Sequence, residues 1–410
     1  MATIAFLFDN EEGHLLPSFP LAHALNKAGH RVVFFSIPDN EHLVTEQGFT
    51  FSPIFEEYYP PGFNRQVKQR IKENGTRDIS LPKYHIDKIT RAGGIGQLFK
   101  GIEPDLWIIS CFLSLEALLL YYRFKIVPVI FTTYLREPGS DIATSCIDEV
   151  MRMQGNDASM LLDSIKEAGI RLTSLVSLVS PLLDFYELVA CPGDFDFTKP
   201  GGKERIRHIG AGVGRKSGAG DDLLKSVKPG APVIYASLGS QAITYGSVTG
   251  HFVRSLLAAM KTDLLRNFHL ILSIGAEYDE IDPLTIPDNV TTVKWAPQLD
   301  ILSISDLAII HGGLGSIKEC IYFGVPMVVV PIYRDQPSNA RRVEYHGLGA
   351  TIKPEDLSEE QLLDKIRFVL YDTRVRDNVR KMQGIFREEE INDAGVELIE
   401  QLLVGSRSPV

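Results

Sequence analysis

The chain has 410 residues, 44% of them hydrophobic and 23% charged, with a formal net charge of −10. That length exceeds one ordinary domain and implies two α/β cores of roughly 200 residues each. The acidic balance excludes a general nucleic-acid surface, and four dispersed cysteines without a CxxC pair exclude a disulfide framework or zinc ribbon and imply a reduced, cytoplasmic setting.

Residues 3–8 form a buried-strand pattern, too short and too poor in basic residues to be a signal segment. The loop DNEEGHLLP follows. Residues 18–28 then predict an amphipathic helix that Gly29 ends, and 30–36 (HRVVFFS) a second strand, which completes a βαβ unit. The unit lacks GxGxxG and has no acidic residue closing its second strand, so a nicotinamide dehydrogenase is excluded. Residues 55–100 read as irregular, with Tyr58, Tyr59 and Phe63 near the start. Strands are expected at 102–112 and 126–132 with a helix at 113–124 between them, then helices over 140–185. The apolar stretch at 172–183 is broken by serines and Pro181 and is too short to span a bilayer. Strands at 187–191 and 206–209 close the first half. The glycine-rich segment 210–222 (GAGVGRKSGAGDD) reads as an interdomain linker.

The second half repeats the alternation. Strands are expected at 232–237, 269–274, 290–293, 307–310 and 327–330, with helices at 247–261 and, late, at 386–403. Such alternation in both halves implies two doubly wound parallel sheets. Within the second half, DLAII is followed at once by HGGLGS and a helical segment, a strand–glycine turn–helix order that builds an anion site. Gly312, Gly313 and Gly315 let backbone approach a ligand, and the helix N-terminus offers free N–H groups and its dipole.

Trp295, Gln298, His311, Gly313, Ser316, Glu319, Pro326, Pro331, Asp335, Gln336 and Asn339 stand at one characteristic spacing. In this the chain resembles the family 1 glycosyltransferases, the UDP-glycosyltransferase-like enzymes, and most of all their bacterial macrolide and antibiotic type. The resemblance implies a GT-B fold: two Rossmann-like domains facing a central cleft. Residues 1–212 would bind acceptor and 213–385 nucleotide sugar, and 386–410 would be a helix returning to the first domain. It also assigns a donor site. Trp295 would stack on the base, and the Ala296 backbone would read its edge. Glu319, helped by Gln298, would bridge the ribose hydroxyls. His311, Gly313, Gly315 and Ser316, with Ser240 from the SLGS loop, would hold the diphosphate without a metal. Asp335 and Gln336 would meet a hexose, often glucose. Arg334, Arg341 and Arg342 read as an exposed cationic face.

His14, in GHxxP, would be the general base, kept neutral by a helix dipole. The pattern's usual partner is an aspartate at the end of the strand written PDxxxxD, and Ser110 stands there. Ser110 is then a hydrogen-bonding orienter of the ring at most. An acidic acceptor, a substitute carboxylate from Asp9 or Glu12, or a slow enzyme would each account for the change, and the expectation is a base with little or no dyad support. The implied reaction is inverting, cofactor-free and metal-independent. It moves a hexose from a UDP-sugar to a hydroxyl of a small lipophilic or aromatic acceptor, with no nucleic-acid or membrane partner. A catalytically weak nucleotide-sugar-binding helper and a dTDP-deoxysugar enzyme are the alternatives.

Overall fold

The computed structural model describes residues 1–74, 85–152, 156–167, 169–171, 173–197, 205–213, 221–239, 242–275, 281, 283–390 and 393–405. Strands β1 (Thr3–Leu7), β2 (Arg31–Ser36), β3 (Thr50–Pro53), β4 (Leu106–Ser110), β5 (Val129–Thr132), β6 (Tyr186–Val189) and β7 (Ile206–His208) form the first sheet. Their spatial order is β3-β2-β1-β4-β5-β6-β7, all parallel. The second sheet holds β8 (Val233–Ser237), β9 (His269–Ser273), β10 (Val290–Val293), β11 (Leu307–Ile310), β12 (Met327–Val329) and β13 (Gly349–Thr351). It is ordered β10-β9-β8-β11-β12-β13, again all parallel.

The strands are short unbroken apolar runs because helices cover both faces of each sheet. Ile4, Ala5 and Phe6 of β1 are all at 0% exposure, as are Leu307, Ala308 and Ile309 of β11. The direction of winding reverses between β1 and β4, and again between β8 and β11. In open α/β sheets the crevice beyond the carboxyl ends of such strands is where ligands bind. Asp9 and His14 follow β1, Ser110 ends β4, and His311 follows β11.

Several expectations need correction. The segment 55–100 is not simply irregular, since Phe63–Asn74, His85–Arg91 and Ile95–Leu98 are helices. The helix expected at 386–403 is two helices, Thr373–Glu389 and Ala394–Gly405. The break has a packing reason: Phe386 belongs to the core of the second sheet, whereas Leu398, Ile399 and Leu403 belong to a core beneath the first. One straight helix cannot serve both. The final helix packs on the helix Phe19–Lys27 and on β7. Residues 214–220 of the expected linker lie outside the described residues. Among the described residues no helix is long and apolar enough to cross a membrane, and the four cysteines are buried and form no disulfide.

Arg342 is not on an exposed face. It is 0% exposed, donates to Asp196 Oδ1 from Nε at 3.0 Å and from Nη2 at 2.8 Å, and reaches the Arg136 carbonyl at 2.7 Å. Its guanidinium also lies 4.4 Å from the Phe197 ring centroid. A planar five-donor group can satisfy that many partners at once, which is why an arginine tolerates burial there. Arg341 beside it pairs with Glu137. Lys318, also buried, donates to the carbonyls of Ala190 and Ala211. Each of these contacts ties a helix of the second sheet to the first domain.

Candidate active site

The side expected to bind donor is built on the turn after β11. Gly312 has φ +87°, and a Cβ there would come within 2.8 Å of Val329 Cγ1, so this glycine makes the sharp turn. Gly313 starts the helix Leu314–Phe323 with an ordinary φ of −61°. Its missing Cβ makes room for the imidazole of His311, whose Nε2 would lie only 2.6 Å away; a Cβ on Gly239 would collide with the same ring at 2.6 Å. Of the three glycines in this turn, only Gly315 keeps space open for a ligand, since a Cβ there would meet nothing within 4 Å. His311 is partly buried, and its desolvation pushes its pKa down to about 4 and leaves it a neutral group at pH 7. Its Nδ1 has no hydrogen-bond partner among the described residues.

Glu319 and Ser316 are both reached by Gln298. The Gln298 amide donates to Ser316 Oγ at 3.2 Å and to Glu319 Oε2, while Tyr235 Oη donates to its carbonyl at 2.8 Å. Burial pushes the Glu319 carboxyl up to about 7. Trp295 is 65% exposed and Ala296 buried, so the indole is free to act as a platform. Ser240 lies outside the described residues.

The helix Gln336–Tyr345 presents Asp335 at its start. Asp335 Oδ2 accepts from Asn339 Nδ2 at 2.8 Å, and burial raises its pKa. Gln336, the other expected sugar contact, is bonded within the protein. It is 5% exposed, its Oε1 accepts from the N–H groups of Ile332 and Tyr333 at 2.8 and 3.2 Å, and its Nε2 donates to Tyr245 Oη at 3.1 Å. Its side-chain carbonyl oxygen closes its own loop, and its amide nitrogen ties that loop to Tyr245. Arg334, at φ +59°, reaches across the cleft to Glu11 Oε1 at 3.4 Å.

On the side expected to bind acceptor, His14 sits in the last turn of the short helix Glu12–Leu15. Its Nδ1 lies 2.7 Å from Asp9 Oδ1. The expected unsupported base is therefore corrected: a carboxylate is in place, and it is Asp9. Ser110 does not hold the ring either; its hydroxyl donates to Asp9 Oδ2 at 2.8 Å. Burial by itself would lower the His14 pKa, but the charge of Asp9 and its hydrogen bond outweigh this, and the pKa is raised. The dipole-neutralised imidazole expected from sequence is thus also corrected. Phe112, 38% exposed, stacks on the His14 ring with centroids 3.6 Å apart and planes 9° from parallel. Tyr134 adjoins it at 5.4 Å. Trp107, by contrast, is core at 4% exposure.

Residues 230–400 match the model of the family described as UDP-glucoronosyl and UDP-glucosyl transferase. The NDP-glycosyltransferase YjiC of Bacillus subtilis (strain 168) is 25% identical over 381 residues, covering 92% of this chain and 91% of that protein. The second half of the chain is thus similar to the family 1 glycosyltransferases. As a glycosyltransferase its fold is GT-B. The structure titled as the glycotransferase of kitacinnamycin superposes with a TM-score of 0.77 at 22% identity, covering 98% of this chain and 99% of that one. The glycosyltransferase VinC, solved in complex with dTDP, gives a TM-score of 0.66 at 21% identity over 97% of this chain and 100% of its own. Among the described residues no group of three or more His, Cys, Asp or Glu side chains is placed to hold a metal ion.

The structure brings together Gln298, Ser316 and Glu319, which sequence spacing had grouped. The sequence reading missed the stacking of Phe112, the Arg334–Glu11 bridge and the burial of Arg342. Spacing carries no signal for these, because each joins segments far apart in the chain.

Proposed function

We propose that this glycosyltransferase moves a hexose, with inversion and without a metal, from a UDP-sugar to a hydroxyl of a small lipophilic or aromatic acceptor. The observation that carries the reading is the meeting of the two walls at Arg334, next to Asp335: Arg334 reaches Glu11 Oε1 at 3.4 Å, three residues before His14. One wall thus supplies a base and the other a hexose-binding carboxylate beside the helix N-terminus of Gly313. The acceptor hydroxyl gives its proton to His14 Nε2 as its oxygen bonds to the anomeric carbon. The bond from that carbon to the diphosphate breaks on the opposite face, and the nucleoside diphosphate leaves with the electron pair. The helix N-terminus, Ser316 and neutral His311 stabilise its charge by hydrogen bonding. The exposed ring of Phe112, with Tyr134 beside it, favours an apolar or aromatic acceptor.

A second reading, a dTDP-deoxysugar donor, is favoured by one feature: Gln298 already occupies one oxygen of Glu319, which leaves fewer acceptor sites for a ribose 2′-hydroxyl. A weak helper protein loses its motive, since Asp9 supplies the carboxylate that Ser110 does not.

Calorimetric titration with UDP and dTDP, in the presence of a chelator, tests the donor half. UDP is expected to bind more tightly, because a deoxyribose leaves a buried carboxylate oxygen unpaired. Ribose hydroxyls donate to the ionised Glu319, so binding should release protons near pH 7 and tighten as pH rises through about 7. Tighter dTDP binding would transfer the assignment to the second reading; binding of neither would remove the donor site altogether.

A further inference from the structure

We infer that Asp9 is the positioning residue of His14 and that Ser110 locks Asp9 in place, so that the supporting carboxylate has moved from the end of β4 to the end of β1. The inference rests on His14 being the base. Its ground is a closed set of contacts. Asp9 Oδ1 takes the His14 Nδ1 side at 2.7 Å and the Glu11 N–H at 3.0 Å. Its Oδ2 takes the Ser110 hydroxyl at 2.8 Å. The Phe112 N–H in turn donates to Ser110 Oγ at 3.3 Å, which aims the serine's one proton at Asp9. Ser36 Oγ and Asn40 Nδ2 donate to the Asp9 carbonyl at 2.9 and 3.0 Å, so the backbone beneath the carboxylate is fixed as well.

The sheet explains why the exchange works. β1 and β4 are neighbours, with Leu7 opposite Ile109, so Asp9 and Ser110 leave the sheet side by side. A carboxylate on either strand end reaches the same point, and a hydroxyl on the other can hold it. An ionised Asp9 requires the proton on Nδ1 of the neutral imidazole, which leaves the lone pair on Nε2. Phe112 covers a face of the ring. Nε2 has no hydrogen-bond partner among the described residues and is the atom left to meet the acceptor. As Nε2 gains a proton, Asp9 stabilises the imidazolium, the task a serine alone cannot do.

The charged groups facing His14 are Asp9, Glu11, Arg334 and Asp335. Glu11 raises the His14 pKa and Arg334 lowers it, and Asp9 is the largest favourable influence. Removing the Asp9 charge therefore lowers the pKa, and the acid limb of kcat/KM moves to lower pH.

The test compares wild type with Asp9→Asn, Ser110→Ala and the double change Asp9→Asn with Ser110→Asp. Each is followed by sugar transfer across pH, by nucleotide titration, and by NMR titration of the His14 ring. Asp9→Asn is expected to lose about a hundredfold in kcat or more, with unchanged nucleotide affinity, a lower His14 pKa and a shifted acid limb. Ser110→Ala should fall between it and wild type. The double variant should recover at least about tenfold over Asp9→Asn, because it restores a carboxylate to the same pocket. An Asp9→Asn protein with wild-type turnover and an unmoved His14 titration overturns the inference, as does a double variant no better than the single. If the titration moves but wild-type protein transfers no sugar, the catalytic reading of the cleft fails while the Asp9–His14 pairing stands.

Discussion

The two walls of the cleft hold their polar groups in different ways. On the donor wall, Gln298, Ser316 and Glu319 come from one short stretch and bond to one another. On the acceptor wall, Asp9 and Ser110 are 101 positions apart and meet only because β1 and β4 are adjacent in the sheet. The donor wall is thus specified by spacing along the chain and the acceptor wall by strand order. The first tolerates little change within its stretch. The second lets a carboxylate change strands, since two strand ends open on the same point.

The difference is open to test by substitution. The largest effect is expected from His14→Ala, about a thousandfold in kcat on an aliphatic alcohol, with nucleotide affinity unchanged. An acidic phenol should recover part of that loss, because it needs less help to give up its proton. Turnover equal to wild type on the alcohol would remove the base from the acceptor wall. Next comes Arg342→Ala at the junction between the walls. It leaves Asp196 without its buried partner, and stability should fall by about 3 kcal/mol, read from urea unfolding. A change below about 0.5 kcal/mol would show that the walls do not depend on this tie. The smallest effect is expected from Trp295→Ala, which removes a stacking surface worth about 1–3 kcal/mol. Nucleotide affinity should weaken about tenfold with little change in acceptor KM. Loss on the acceptor side instead would break the division between the walls.

Reading the chain by spacing found the strand–turn–helix unit formed by Leu307–Ile310 and Leu314–Phe323. Strands at 290–293 and 307–310 coincide with β10 and β11 because unbroken apolar runs between turn residues have few other uses. Errors fell where tertiary context decided. Gly313 reads as a ligand-approach glycine, yet its open side is filled by His311. Gln336 reads as a sugar contact, and the structure adds a second role, since its side-chain carbonyl oxygen accepts two N–H groups of the preceding loop. Arg342 reads as a surface cation, yet the neighbouring domain covers it.

The sequence by itself determined two parallel α/β sheets, the glycine turn after β11 and the place of a histidine just beyond β1. These follow from local rules: apolar runs, glycine turns and helix starts. Only the tertiary structure decided which carboxylate serves His14, which ring covers it and which cation ties the domains together. Each of those is a contact between segments joined by strand order and domain packing, and no local pattern records which distant strand end will lie alongside.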